Sequence, residues 1–249
     1  MGLCVITGAA SGIGLELARI AAAEGHELLL VDRDPAIEQV AATLSGGAVV
    51  ADLSTRDGVD ALCSRLAGNA PDLLMLNAGR GLGHAFMEQS EDAILDVIET
   101  NVIGTTMLAR RIGQRMAARG SGRIMFAGSI VGYMPGPYQA VYNATKAYVN
   151  SLSVALSNEL SGCGVTVTCL MPGATDTQVF ERAGMQETPI GEMKKEDPVK
   201  VARSGYDAMM AGREQITPGV MNKIQATAAE ILPAGMVAEL HRKIAEPRD

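Results

Sequence analysis

Residues 3–24 read LCVITGAASGIGLELARIAAAE, and this stretch decides the fold. Leu3 to Thr7 is a strand-length apolar run with β-branched residues. Gly8 to Gly14 is a glycine-rich turn, and Leu15 to Glu24 reads as a helix. Strand, glycine turn and helix in succession bring a pyrophosphate against a helix N-terminus. Gly8 permits the tight turn, Gly12 omits a side chain where phosphates approach, and Gly14 lets the helix pack closely on the strand. No Gly-Lys-Ser or Gly-Lys-Thr follows, so the turn is not a Walker A loop.

The same rhythm continues outward. Leu28 to Val31 is a second strand ending at Asp32, and Asp34 caps a helix from Pro35 to Leu44. Further strands are expected at Ala48–Ala51, Leu73–Leu76, Gly122–Ala127 and Val165–Leu170, with helices at Thr55–Leu66, about 90–118 and Tyr142–Leu160. Asp197-Pro198 opens a helix to Met210, Gln215–Thr217 is an edge strand, and 222–244 is helical with a break at Pro233. Short strands that are apolar on both faces and separated by helix-length segments indicate a parallel sheet covered on both sides. The expectation is an α/β protein: a single-domain Rossmann fold over residues 1–249, with a doubly wound parallel sheet of about seven strands. Residues 174–196 break the pattern, mixing Phe180, Met185, Pro189, Ile190 and Met193 with charged side chains. They are read as a lid over a mostly apolar pocket.

A chain of 249 residues with 47% hydrophobic and 20% charged residues supports a substantial core and excludes wholesale disorder. The net charge of −7 argues against a nucleic-acid partner. Cys4, Cys63, Cys163 and Cys169 form no CxxC pair, and the histidines are only His26, His84 and His241, so no metal site is expected. His84 and His241 are assigned to the surface. No basic segment with a long apolar stretch and cleavage site opens the sequence, and no run reaches the ~20 apolar residues of a membrane span. A cytoplasmic protein without membrane contact is the expectation.

Beyond the turn, Asp32 lies 18 residues after Gly14 and is placed to accept hydrogen bonds from an adenosine ribose 2′-OH and to repel a 2′-phosphate. Arg33 keeps the opposite choice open, since a guanidinium grips a 2′-phosphate. Asp52 is placed to meet the adenine edge. Tyr142 and Lys146 are four apart on one helix and share a face. An ammonium beside a phenol favours the phenolate and lowers its pKa from the usual value near 10.

Taken together, these motifs resemble the short-chain dehydrogenase/reductase family over nearly the whole chain. The matching residues are Thr7 to Gly14, Asn77-Ala78-Gly79, Asn101, Ser129, Tyr142 with Lys146, Pro172-Gly173 and Thr177. Leu76 replaces the usual asparagine before Asn77. Pro135-Gly136-Pro137-Tyr138, Ala211-Gly212-Arg213 and Pro218-Gly219 are similar to a generic bacterial oxidoreductase branch. Many members of that branch prefer NADP and carry an arginine where this chain has Asp32, which favours NAD here with NADP as the alternative.

The resemblance implies a hydride transfer between a nicotinamide cofactor and a secondary alcohol or ketone. Tyr142 would be the general acid and base, Ser129 the donor to the substrate oxygen, Lys146 the ribose contact and Asn101 the holder of a water in the proton path. It implies cofactor contacts from Gly8, Ser11, Gly12, Ile13, Gly14, Asp32, Arg33, Asp52, Leu53, Asn77, Ala78, Gly79, Tyr142, Lys146, Pro172, Gly173, Thr175 and Thr177. Tyr133, Tyr138 and Tyr148 are rival tyrosines lacking the spacing to Lys146. Family members commonly pair through the two long helices, so a homodimer or homotetramer is expected. Stripes at Ala109, Ile112 and Met116 and at Leu152, Leu156 and Leu160 are candidates for that contact, the alternative being that both serve only the sheet. The different-class alternative is a catalytically silent nucleotide-binding regulatory or scaffold protein of the same fold.

Overall fold

Seven parallel strands form one sheet in the order β3-β2-β1-β4-β5-β6-β7 in a computed structural model that describes residues 2–247. The strands are β1 (Leu3–Thr7), β2 (Glu27–Asp32), β3 (Gly47–Val50), β4 (Leu73–Leu76), β5 (Gly122–Ala127), β6 (Val165–Leu170) and the edge strand β7 (Gln215–Ile216). Alternate residues of each strand feed opposite faces. Val5, Leu29, Leu74 and Ile124 enter one core, while Cys4, Ile6, Leu30, Met75 and Met125 enter the other. The first core is closed by α3 (Arg56–Arg65), α5 (Thr105–Arg119) and α6 (Ala140–Leu160), the second by α1 (Gly12–Ala23), α2 (Ala36–Thr43) and α9 (Pro198–Met210). Strand order reverses between β1 and β4, and the crevice beyond their carboxyl ends is where such sheets bind ligands.

The helix expected over 90–118 is α4 (Glu91–Ile98) and α5 joined by a π-helical turn at Glu99–Gly104. A Cβ on Gly104 would stand 2.1 Å from the Leu53 carbonyl oxygen, so the helix passes directly against the loop after β3. Leu76 is buried in the first core, which is where the departure from the usual asparagine is absorbed.

Of the apolar stripes read as possible pairing surfaces, the one on α5 serves the sheet, and the one on α6 packs on the same core while staying partly exposed. Ala109, Ile112 and Met116 are buried in the first core, and Leu152, Leu156 and Leu160 pack against it. A helix covering a sheet must bury one stripe, and helical spacing is the same whichever partner covers it.

Residues 174–196 form two short helices, α7 (Val179–Arg182) and α8 (Pro189–Glu192). The ends of the excursion are tied together: Glu196 N–H donates to the Ala174 carbonyl at 2.8 Å and Asp176 N–H to the Glu196 carbonyl at 2.9 Å. Phe180, Met185 and Ile190 are buried here, whereas Met193, expected among them, is 49% exposed. The tail forms α10 (Val220–Ile231) and α11 (Ala234–Ala245), broken at Pro233 as expected. His241 on α11 is not a surface residue. It is buried, its Nε2 lies 3.2 Å from the Asn143 amide, and burial lowers its pKa below the ordinary imidazole value. Among the described residues, no helix is long and apolar enough to cross a membrane.

Candidate active site

The glycine turn is held by β4 as well as by β1. Asn77 Nδ2 donates to the Thr7 and Gly8 carbonyls, each at 3.1 Å, and Thr7 Oγ1 accepts the Asn77 and Ala78 N–H groups at 3.0 Å. Gly8 and Gly12 take φ of +67° and +57°, which favours glycine. A Cβ on Gly14 would lie 2.1 Å from the Gly8 carbonyl oxygen, so Gly14 is the packing glycine rather than a wall of the cleft.

One cleft of about 470 Å³ gathers every candidate site residue except Gly14 and Asn101. The turn fits a pyrophosphate on this structure's own terms. Ser11 caps α1 without a side-chain bond to the first-turn N–H groups, and that turn holds no acidic residue. The positive end of the helix therefore faces the cleft with no acidic side chain in its own first turn. Asp32 sits on the same wall, its carboxylate accepting the Ala10 and Asp34 N–H groups at 3.0 Å each, with Arg33 exposed beside it. Asp52 accepts from Ser54 N–H and Oγ at 3.0 and 2.7 Å. Arg80 of the same wall, which sequence reasoning passed over, pairs with Asp52 at 3.6 Å and with Asp96.

At the other end, Ser129, Tyr142 and Lys146 converge. Ser129 begins a 3₁₀ turn just beyond β5, its Oγ donating to the Pro172 carbonyl at 3.2 Å and accepting the Val131 N–H at 3.3 Å. Lys146 is 7% exposed, and its Nζ donates to the Ala127 carbonyl at 2.8 Å and lies 5.8 Å from the centre of the Tyr142 ring. Burial, not the ammonium, dominates the titration of both groups. Desolvation pushes Tyr142 up to about 12, with the neighbouring Ser129 hydroxyl opposing it, and brings Lys146 down to about 8. The lowering of the phenol expected from its neighbour is thus reversed, because the same wall that brings the pair together removes water from both.

Asn101 sits in the π-helical turn, behind the cleft. Its Oδ1 accepts the Arg80 N–H at 2.8 Å, and its Nδ2 donates to the Arg80 carbonyl and Thr145 Oγ1 at 2.9 and 3.0 Å. The rival tyrosines are engaged elsewhere: Tyr133 with Met171, Tyr138 with Glu246, and Tyr148 with Thr106.

The substrate end is lined by Val131, Phe180, Ala183, Met185 and Ile190, with Gln139 among the polar groups. A residue the sequence reading missed lies behind it. Asn150, one turn beyond Lys146 on α6, is buried and bonded to the Ser129 backbone. Its position four after Lys146 was the available signal.

Residues 3–188 match the family model described as short chain dehydrogenase. An uncharacterized short-chain type dehydrogenase/reductase of Sinorhizobium fredii is 33% identical over 241 residues, covering 94% of this chain and 92% of that protein. Galactitol 2-dehydrogenase (L-tagatose-forming) of Cereibacter sphaeroides is 36% identical over 196 residues, covering 76% of each. Among solved structures, a short-chain dehydrogenase from Sphingobium yanoikuyae in complex with NADPH superposes with a TM-score of 0.83 at 29% identity, covering 94% of this chain and 97% of that one.

Proposed function

Because the chain belongs to the short chain dehydrogenase family, we propose that its cleft works with Tyr142 as general acid and base, Ser129 as donor to the substrate oxygen and Lys146 as the ribose contact. The protein is an NAD(P)-dependent oxidoreductase that moves a hydride between the cofactor and the alcohol or carbonyl carbon of a small molecule. The observation that carries the assignment of roles is the convergence of buried Ser129 and Lys146 with half-buried Tyr142 on one wall of the cleft.

The nicotinamide supplies or accepts the hydride when bound. Tyr142, a phenol at neutral pH that burial holds further from ionisation, donates its proton to the carbonyl oxygen in reduction and takes the alcohol proton as phenolate in oxidation. Ser129 Oγ–H turns from the Pro172 carbonyl to the substrate oxygen and steadies the developing charge. Asn101 holds the backbone at Arg80 and, as in the family, a water on the proton path. The first-turn N–H groups of α1 would hold the pyrophosphate, and Asp52 would meet the adenine edge.

The substrate is a secondary alcohol or ketone whose carbon skeleton packs on Phe180, Met185 and Ile190, under a lid formed by 174–196 of a single domain. A panel of alcohols, polyols and ketones, followed by cofactor absorbance, tests this. Turnover with any member supports the assignment, and none across the panel favours the silent nucleotide-binding reading.

NAD is preferred over NADP. Asp32 is fixed by two backbone N–H groups, so it stays on the ribose wall and repels a 2′-phosphate. Asp32→Ala is expected to improve NADPH binding roughly tenfold, about 1.4 kcal/mol, relative to NADH. Titration of both reduced cofactors checks it, and tighter NADPH binding by the parent overturns it.

A homodimer or homotetramer forms through the outer faces of α4, α5 and α6. Leu95, Ile103, Met107 and Tyr148 are 37–51% exposed there, beside a groove lined by Phe86, Val102, Val141 and Ala144. Light scattering at micromolar concentration should give a multiple of 26.0 kDa, and a monomer refutes the pairing. The address is cytoplasmic, in keeping with four free cysteines.

A further inference from the structure

Ser129 stands where the sheet has ended. β5 stops at Ala127, and Ser129 is extended, with φ −170° and ψ 156°. In an extended residue the N–H and C=O point to the same side, so one carboxamide bonds both, as a neighbouring strand does. Asn150 supplies that carboxamide. Its Nδ2 donates to the Ser129 carbonyl at 2.9 Å and its Oδ1 accepts the Ser129 N–H at 3.3 Å. Asn150 is 5% exposed, and the Cys169 thiol approaches its Oδ1 at 3.6 Å.

Two glycines make room for the bracket. A Cβ on Gly128 would stand 2.1 Å from Asn150 Oδ1, and one on Gly132 would stand 2.5 Å from its Nδ2. The segment Gly128-Ser129-Ile130-Val131-Gly132 therefore closes around the amide from both sides. The amide is fixed in turn by α6, the helix that carries Tyr142 and Lys146. The direction of the Ser129 side chain is thereby referenced to the same rigid element as its catalytic neighbours.

We propose that Asn150 is a positioning residue of the reaction: by bracketing the Ser129 backbone it sets the direction of the Ser129 hydroxyl relative to Tyr142. The proposal rests on the assignment of Ser129 as donor to the substrate oxygen. A misplacement of about 1 Å costs on the order of 10²-fold in rate, and removal of one such donor on the order of 10²–10³-fold.

The test is a double-mutant cycle of Asn150→Leu and Ser129→Ala, reading kcat, the cofactor dissociation constant and the thermal midpoint of all four proteins with an active substrate from the panel. Asn150→Leu is expected to lower kcat by roughly 10–100-fold with cofactor binding unchanged within a few-fold. In the Ser129→Ala background the same change should cost no more than about threefold, since the hydroxyl it positions is gone. An equal loss in both backgrounds, or a weakened cofactor, makes Asn150 a packing residue and overturns the proposal. Near-parental kcat in Ser129→Ala alone overturns the donor assignment and, with it, this role. Asn150→Asp keeps the volume and replaces the amide donor to the Ser129 carbonyl with a carboxylate oxygen that repels it. If the leucine variant does not fold, the aspartate variant takes its place in the cycle, with the same expected and overturning results.

Discussion

Replacing Tyr142 with phenylalanine is expected to lower turnover by roughly 10²–10⁴-fold while cofactor binding stays within a few-fold of the parent. The substitution removes one oxygen and keeps the ring, so the packing of α6 survives. Lys146 keeps its bond to the Ala127 carbonyl, and Ser129 keeps the Pro172 carbonyl and the Val131 N–H. What disappears is, among the described residues, the only phenol in the wall that Ser129 and Lys146 share. Tyr133, Tyr138 and Tyr148 are bonded to other residues and do not take its place.

The pH profile supplies a second readout with a defined sign. Burial raises Tyr142 to about 12, so the phenol dominates at neutral pH and the phenolate fraction grows about tenfold per pH unit below that value. Oxidation, which needs the phenolate, should therefore accelerate as pH rises, while reduction, which needs the phenol, should not. Initial rates in both directions from pH 6 to about 10, with parent and variant, measure this. Near-normal turnover in the phenylalanine variant would move the proton to Ser129 or a water.

The glycine turn was legible because each glycine answers a requirement local to the chain. Gly8 and Gly12 need positive φ, and Gly14 needs to approach Gly8. The strands were legible for a similar reason, since residues buried on both faces leave uninterrupted apolar runs. What stayed hidden depends on contacts between distant segments. Gly104, which ends the π-helical turn at 99–104, meets the Leu53 carbonyl of a segment distant in sequence. The stripes on α5 and α6 look alike whether a sheet or a second copy covers them. His241 looked like a surface histidine because nothing in the sequence says that α11 folds back onto Asn143. The titration of Tyr142 was misjudged in sign because spacing reveals a neighbouring charge but not the water excluded with it. Asn150 carries no signal beyond its spacing from Lys146, because its partner is a backbone.

Lys146→Met should separate from the tyrosine variant by harming two steps at once. Lys146 Nζ borders Gly79, where a Cβ would meet it at 3.4 Å, and so stands at the cofactor wall as well as beside Tyr142. Losing one charge-assisted hydrogen bond to the ribose should weaken cofactor binding roughly 10–100-fold. Turnover at saturating cofactor should fall as well, because the remaining site lacks the ammonium that supports negative charge near the phenol. Stability gives an independent check. Lys146 falls from the ordinary 10.5 to about 8 on folding, so between those values the unfolded chain holds a proton that the folded chain does not, and this group's contribution to stability rises with pH. The stability difference between Lys146→Met and the parent should then shift in the parent's favour as pH rises from 8 to 10.5. Denaturant midpoints across that window, beside cofactor titrations and initial rates, measure all three effects. A methionine variant that binds cofactor as the parent does, with only turnover reduced, would confine Lys146 to the proton step and remove it from the ribose. Parental stability differences that stay flat across the window would mean that Lys146 folds without losing its proton.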